Sequence, residues 1–291
     1  MSIFQDANRK QIAGRRSIDV MLHMLFLLAT SVGIIALSVL IIDIIIDGTA
    51  RLQPELFQNF PSRKADQAGM KSAIVGSIYM LCIMAPVSFI FGVGAAIYLE
   101  EYAPKNWLTK LIQINISTLA GVPSIVYGIL GLALFVRMFG MGKSLLAGSL
   151  TMALLVLPII IVSAQEAIRA VPRSRRDASF ALGATKWQTV ARSVLPSSIA
   201  GILTGCILAF SRAIGETAPL VMIGALTYVA FLPDGILDSF TVMPIQIYNW
   251  LSRPQADFQE LAASGIIVLL AVLLLMNISA VFIRNKYSKK I

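Results

Sequence analysis

Arg212 and Glu216 stand four residues apart in Ser211-Arg212-Ala213-Ile214-Gly215-Glu216-Thr217-Ala218-Pro219, inside a mostly apolar stretch over residues 199–232. On a helix, residues at i and i+4 share a face, so this guanidinium and carboxylate can neutralise one another. A guanidinium also forks two hydrogen bonds onto a tetrahedral oxyanion such as phosphate. A nearby carboxylate would then accept a hydrogen bond from protonated phosphate, or hold the arginine when no anion is present. Thr217 adds a hydroxyl donor. The same spacing also suits an ion pair with a structural role alone. Two features favour function. Gly215 is permissive, and Pro219 lacks the amide that would bond the Gly215 carbonyl, which predicts a kinked or broken helix beside the charges. The stretch is also longer than a bilayer core needs at about 1.5 Å per residue, leaving Arg212 near mid-depth. A charge there costs roughly 2.5–3.5 kcal/mol, so it belongs in a bundle interior or polar pathway. Broken helices at the midplane are where transporters place substrate sites.

The elements that must position this pair are membrane spans. Of 291 residues, 57% are hydrophobic and 13% charged, with mean hydropathy +0.80, far from the roughly 25% charge of soluble domains. Six runs are long enough to cross hydrocarbon, near residues 18–46, 71–99, 111–136, 144–163, 199–232 and 264–283, each about 20 residues or more. The net charge of +9 follows topology. With a cytoplasmic N-terminus, 16 of the 24 Lys and Arg fall inside: Arg9, Lys10, Arg15, Arg16, Lys105, Lys110, Arg169, Arg173, Arg175, Arg176, Lys186, Arg192, Arg284, Lys286, Lys289 and Lys290. Seven fall outside, namely Arg51, Arg63, Lys64, Lys71, Arg137, Lys143 and Arg253, and Arg212 alone lies within a span. This is the positive-inside pattern of six spans with both termini cytoplasmic. It accounts for the basicity without a nucleic-acid partner. The first run is too long for a signal-peptide core and reads as a retained helix.

Other motifs carry less. Gly140-Met141-Gly142-Lys143-Ser144 ends like a phosphate-binding loop, but Arg137 stands where the pattern needs its first glycine and no strand precedes it. ATP-driven work would therefore fall to a partner. His23 is the one histidine, and no convergent titratable cluster supports an enzyme or a metal site, so no catalytic residue is assigned. Cys82 and Cys206 lack metal-ligand spacing and read as small core residues.

Two connections outside the spans have organisation. Residues 48–70 form an external link with room for a short interfacial helix. In 233–263, Phe240, Met243, Ile247 and Leu251 recur at helical spacing, which suits an interfacial helix on lipid or a face docking an external partner. The internal loop 164–198 reads as a helical hairpin. Arg176 to Leu182 is helical, Gly183 suits the left-handed position after the helix, and Thr185-Lys186-Trp187-Gln188 resembles a capping box. Pro196 is expected to end the unit. An exposed Trp187 on a rigid helix–glycine–helix knob suggests a surface gripped by another protein.

Asp177-Ala178-Ser179-Phe180-Ala181-Leu182-Gly183, followed by Leu195-Pro196, resembles the EAA loop of ABC importer permease subunits. Asp177, Ser179 and Ser193 depart from the usual Glu, Ala and Ile, while Gly183 and the Leu-Pro spacing are kept. Asn115-Ile116-Ser117-Thr118-Leu119-Ala120-Gly121-Val122-Pro123-Ser124-Ile125-Val126-Tyr127-Gly128 and the stretch Arg212 through Leu220 are similar to phosphate ABC transporter permeases of the PstA type. The sister PstC type usually has Met where Ala218 stands.

The resemblance implies an all-α, polytopic membrane protein with six transmembrane helices and the type I ABC importer (MetI-like) permease fold. It runs from about residue 69 to 283. Residues 1–68 then form the N-terminal segment, first span and external connection, 69–283 the permease core with coupling loop 164–198, and 284–291 a basic cytoplasmic tail. It further implies inward phosphate transport across the bacterial inner membrane, by heterodimerisation with a PstC-like permease above a PstB-like ATPase dimer, with a PstS-like phosphate-binding protein outside. ATP and Mg would bind the partner ATPase and no cofactor this chain. Asp177, Ala178, Ala181, Leu182, Gly183, Ala184 and Trp187 become the coupling helix inserted into an ATPase cleft. Arg212 and Glu216 match the arginine and glutamate implicated in transport, with Thr217 beside them, and Arg137 has a weaker claim on the pathway. Another oxyanion such as sulfate or phosphonate, or a regulatory phosphate sensor, stays open as an alternative.

Overall fold

The computed structural model describes residues 2–225 and 228–288. Lys289 and Lys290 of the basic tail, and Leu226 and Thr227 of the expected fifth span, lie outside them. The elements in chain order are α1 (Ser2–Thr49), α2 (Pro54–Gln58), α3 (Lys71–Ile97), α4 (Trp107–Leu119), α5 (Ser124–Gly131), α6 (Leu145–Arg169), α7 (Arg173–Ala181), α8 (Lys186–Thr189), α9 (Leu195–Ile214), α10 (Ala218–Ile223), α11 (Met243–Leu251) and α12 (Ala256–Ser288). Every extended element among the described residues is helical. Five segments are long and apolar enough to cross a membrane, and α4 with the α5 segment, bent by 104°, passes the same test as a pair, with the geometry of a broken span or a re-entrant loop. Counted as one broken span, the pair brings the crossings to six, the number that returns both termini to one side.

The bend corrects the reading of 111–136 as one run. Pro123 disfavours helical geometry at Val122, so α4 ends at Leu119 and α5 restarts after Pro123. Tyr127 locks the corner by donating its hydroxyl to the Leu119 carbonyl at 2.9 Å. Pro196 is the opposite case, since it does not end the hairpin. A π-helical turn over Val190–Val194 joins α8 to α9, giving one continuous span over Lys186–Ile214. The wider winding just before Pro196 accommodates a residue with no amide hydrogen and a bulky ring.

The bundle is built on α3, α6 and α9, and small residues let the helices meet closely. A Cβ at Gly92 would lie 2.6 Å from Ile160, one at Gly201 2.8 Å from Ala167, and one at Gly205 2.2 Å from Ser163. Gly201-x-x-x-Gly205 therefore supplies a groove for α6, the usual device for packing helices in lipid. The core around it includes Met84, Met152, Ile160, Ile202 and Ala213.

A second cluster lies at the external end, and here another expectation fails. Phe240, Met243 and Ile247 are buried, not laid on lipid or offered to a partner, while Leu251 is 52% exposed. The α11 face packs with Trp250 and Phe258, and the Met243 amide donates to Ser77 Oγ of α3 at 2.9 Å. Cys206 is buried as expected, but Cys82 is exposed. The outlying α1 is tied at its external end. Ser264 Oγ donates to the Gly48 carbonyl at 2.6 Å, and Arg51 reaches Asp66, Asp257 and Glu260 at 2.9, 3.0 and 3.1 Å. The hydrogen bonds it donates to Asp66 and Glu260 hold the Arg51 guanidinium above its ordinary pKa.

Candidate functional site

The register of α9 on α6 fixes the depth of Arg212. Gly201 lies against Ala167 and Gly205 against Ser163, so the helices run oppositely, residue for residue. Continuing that register puts Arg212 level with about residue 156, close to the middle of α6 (Leu145–Arg169). The side chain is exposed at this level, as is Leu208 one turn earlier. A mid-membrane guanidinium uncovered by its own chain has to face other protein or a water-filled path.

The helix stops where the glycine and proline suggest. Gly215 caps α9, the Glu216 amide bonds the Ala213 carbonyl at 3.1 Å, and Pro219 enters the first turn of α10. The pairing geometry differs from the expected one. Because α9 ends at Ile214, Arg212 and Glu216 do not lie on one helical face, and among the described residues neither belongs to an ion pair. Glu216 Oε1 instead accepts a hydrogen bond from Ser124 Oγ at 2.7 Å. Ser124 opens α5 just after the Pro123 corner, so two chain breaks meet at one half-buried carboxylate.

Sequence reasoning missed Ser124 as a site residue. Its signal was Val122-Pro123-Ser124 itself, where proline forces a break and places a hydroxyl on the new helix start. Close packing supports the junction. A Cβ on Gly128 would come within 2.7 Å of Pro219 Cα and 2.9 Å of Met222 Cβ. Gly128→Val therefore forces α10 off α5 at a cost of about 1–3 kcal/mol. The expected outcome is a lower melting temperature for the purified protein together with impaired transport; wild-type melting and transport would show that the contact is dispensable.

Thr217 precedes α10, adjacent to the junction. Arg137 does not join it. It lies exposed near the end of the π-helical extension Leu132–Met138, about 20 Å along the helix from Ser124 at 1.5 Å per residue. Gly140 and Gly142 turn the chain with φ of +65° and +64°, and Ser144 Oγ caps α6 by accepting from the Ala147 amide. That is a connecting turn with a helix cap.

The second candidate surface is the cytoplasmic hairpin. Gly183 has φ +81°. Its amide bonds the Phe180 carbonyl at 2.9 Å, and the Ala184 amide reaches the Ser179 carbonyl at 3.2 Å. Those bonds form a Schellman motif closing α7. The Thr185/Gln188 capping box opens α8. Asp177, Ala178, Ala181 and Gly183 are exposed and Ala184 is half-buried. Leu182 is 90% and Trp187 66% exposed, more apolar surface than a cytoplasmic turn normally presents.

A bundle of membrane-spanning helices, broken where Ser124 meets Glu216 beside the exposed Arg212 and carrying a rigid cytoplasmic knob, defines the membrane-spanning subunit of a transporter. Residues 88–290 match the family described as binding-protein-dependent transport system inner membrane component. The chain belongs to that family and is a multi-pass inner-membrane transport subunit. It is 32% identical over 260 residues to the probable ABC transporter permease protein YqgI of Bacillus subtilis (strain 168), covering 85% of this chain and 88% of that one. It is 30% identical over 289 residues to the phosphate transport system permease protein PstA of Yersinia pestis, covering 97% and 96%. Among solved structures, an inward-facing form of the MetNI methionine ABC transporter aligns over 75% of this chain and 97% of its own with TM-score 0.61 and 16% identity, which establishes the MetI-like fold. Family membership implies an ATPase and a substrate-binding protein as partners.

Proposed function

We propose that this chain is the PstA-type permease subunit of an importer that passes inorganic phosphate into the cell. The observation that carries this reading is the mid-depth Arg212, exposed beside a helix break while Glu216 is engaged by Ser124. Because its carboxylate neighbour is held elsewhere, the guanidinium keeps its donors available for a tetrahedral anion. Relatives named phosphate transport system permease PstA supply the anion class. The uncovered face bearing Leu208 and Arg212 suits a PstC-like second permease, so that the pathway forms between the two subunits. Thr217, next to Glu216 at the start of α10, would add a further hydroxyl donor. A PstS-like protein delivers phosphate from outside. A PstB-like ATPase dimer, holding ATP and Mg, receives Leu182 and Trp187 of the cytoplasmic knob.

Competition tests the substrate. Uptake of labelled phosphate by cells carrying the complete system falls with excess unlabelled phosphate or arsenate and is unmoved by sulfate or phosphonate. Inhibition by sulfate or phosphonate equal to that by phosphate would assign the pathway to another oxyanion.

A further inference from the structure

The cytoplasmic end of α3 continues into a π-helical turn, Tyr98–Tyr102, and its consecutive carboxylates Glu100 and Glu101 grip two arginines on different elements. Arg169, in the last turn of α6, donates Nε and Nη2 to the two oxygens of Glu100 at 2.9 and 2.6 Å. Gln165 adds a third donor to Glu100 at 2.9 Å. Arg176, in α7, donates Nε and Nη2 to Glu101 Oε1 at 3.1 and 2.8 Å. Both side chains of this second pair are largely buried, at 18% and 12% exposure. The same guanidinium donates to the Val171 and Ile168 carbonyls at 2.7 and 2.9 Å, at and just beyond the C-terminus of α6.

Arg176 thus bolts the projecting helix to α3 and α6 at once, although only α6 adjoins it in sequence. Four donor contacts from one planar fork define direction as well as distance. Ser179 and Thr189 hydroxyls, 2.9 Å apart, tie the same helix to α8 and so to the span bearing Arg212. π-turns within helices are common at functional positions, and this one sets two successive carboxylates against two different helices.

We propose that the Glu101–Arg176 pair is the joint through which displacement of α7 is passed to α3. Glu101 and Arg176 are positioning residues: they touch neither phosphate nor nucleotide. The inference rests on the reading of α7 as the ATPase contact, and the test separates the two. Complexes carrying Glu101→Gln or Glu101→Asp are reconstituted in vesicles with the ATPase, second permease and phosphate-loaded binding protein, and phosphate accumulated is measured against ATP hydrolysed. The expected result is an assembled complex whose hydrolysis persists while phosphate moved per ATP falls about tenfold or more. The aspartate variant keeps the charge but shortens the reach, so it carries the test if the glutamine variant does not assemble. An unchanged ratio, or transport and hydrolysis declining in parallel with complex yield in both variants, would overturn the joint. Failure of the wild-type chain to retain the ATPase would instead sink the reading of α7.

Discussion

Arg212→Ala abolishes phosphate uptake while the complex still assembles. Truncating one partner of a desolvated, hydrogen-bonded charge pair costs roughly 2–5 kcal/mol, a loss of at least about 30-fold in rate or affinity. Assembly survives because Arg212 belongs to no ion pair among the described residues and its side chain fills no core of its own chain. Arg212→Lys retains the charge without the planar fork, so uptake falls part of the way. Initial uptake rates, normalised to complex recovered by size-exclusion chromatography, measure both. Retained uptake by the alanine variant removes Arg212 from the pathway.

Gly183→Val detaches or uncouples the ATPase. Gly183 sits at φ +81°, where an L-residue costs roughly 1–2 kcal/mol and a β-branched one is worst placed. No neighbouring atom lies within 4 Å of a Cβ built there, so the effect arises from the backbone alone. Valine drives the turn out of the left-handed region, breaks the Schellman bonds and shifts the exposed Leu182 relative to α8. ATPase recovered by co-purification should fall about tenfold, matching roughly 1.4 kcal/mol, with the melting of the membrane bundle unchanged. Gly183→Asn, which tolerates this conformation, keeps most of the binding. Equal recovery and transport with valine would refute the role of the knob.

The hairpin shows what is locally encoded. A glycine after a helical run and a Thr-x-x-Gln box are signals read within a few residues, and both appear in the fold at Gly183 and Thr185. The break after Arg212 was legible for the same reason, through Gly215 and Pro219. Non-local partners were not. Ser124 and Glu216 are 92 positions apart, and the i, i+4 expectation assumed a helix that in fact stops at Ile214. Hydropathy ran unbroken across 111–136, hiding a corner that Pro123 makes sterically. The periodicity of Phe240, Met243 and Ile247 revealed an apolar face but not its cover, which α6 supplies for Phe240 and α3 and α12 for Met243 and Ile247. Pro196 misled because a π-turn absorbed it.

The most direct test is transport by the assembled complex itself. Vesicles containing this chain, a PstC-like permease and the ATPase, supplied with phosphate-loaded binding protein on one face and ATP with Mg on the other, should accumulate labelled phosphate only when ATP is hydrolysed. Accumulation should be lost with Arg212→Ala. ATP-dependent accumulation of another oxyanion in place of phosphate, or phosphate accumulation indifferent to Arg212, would contradict the account.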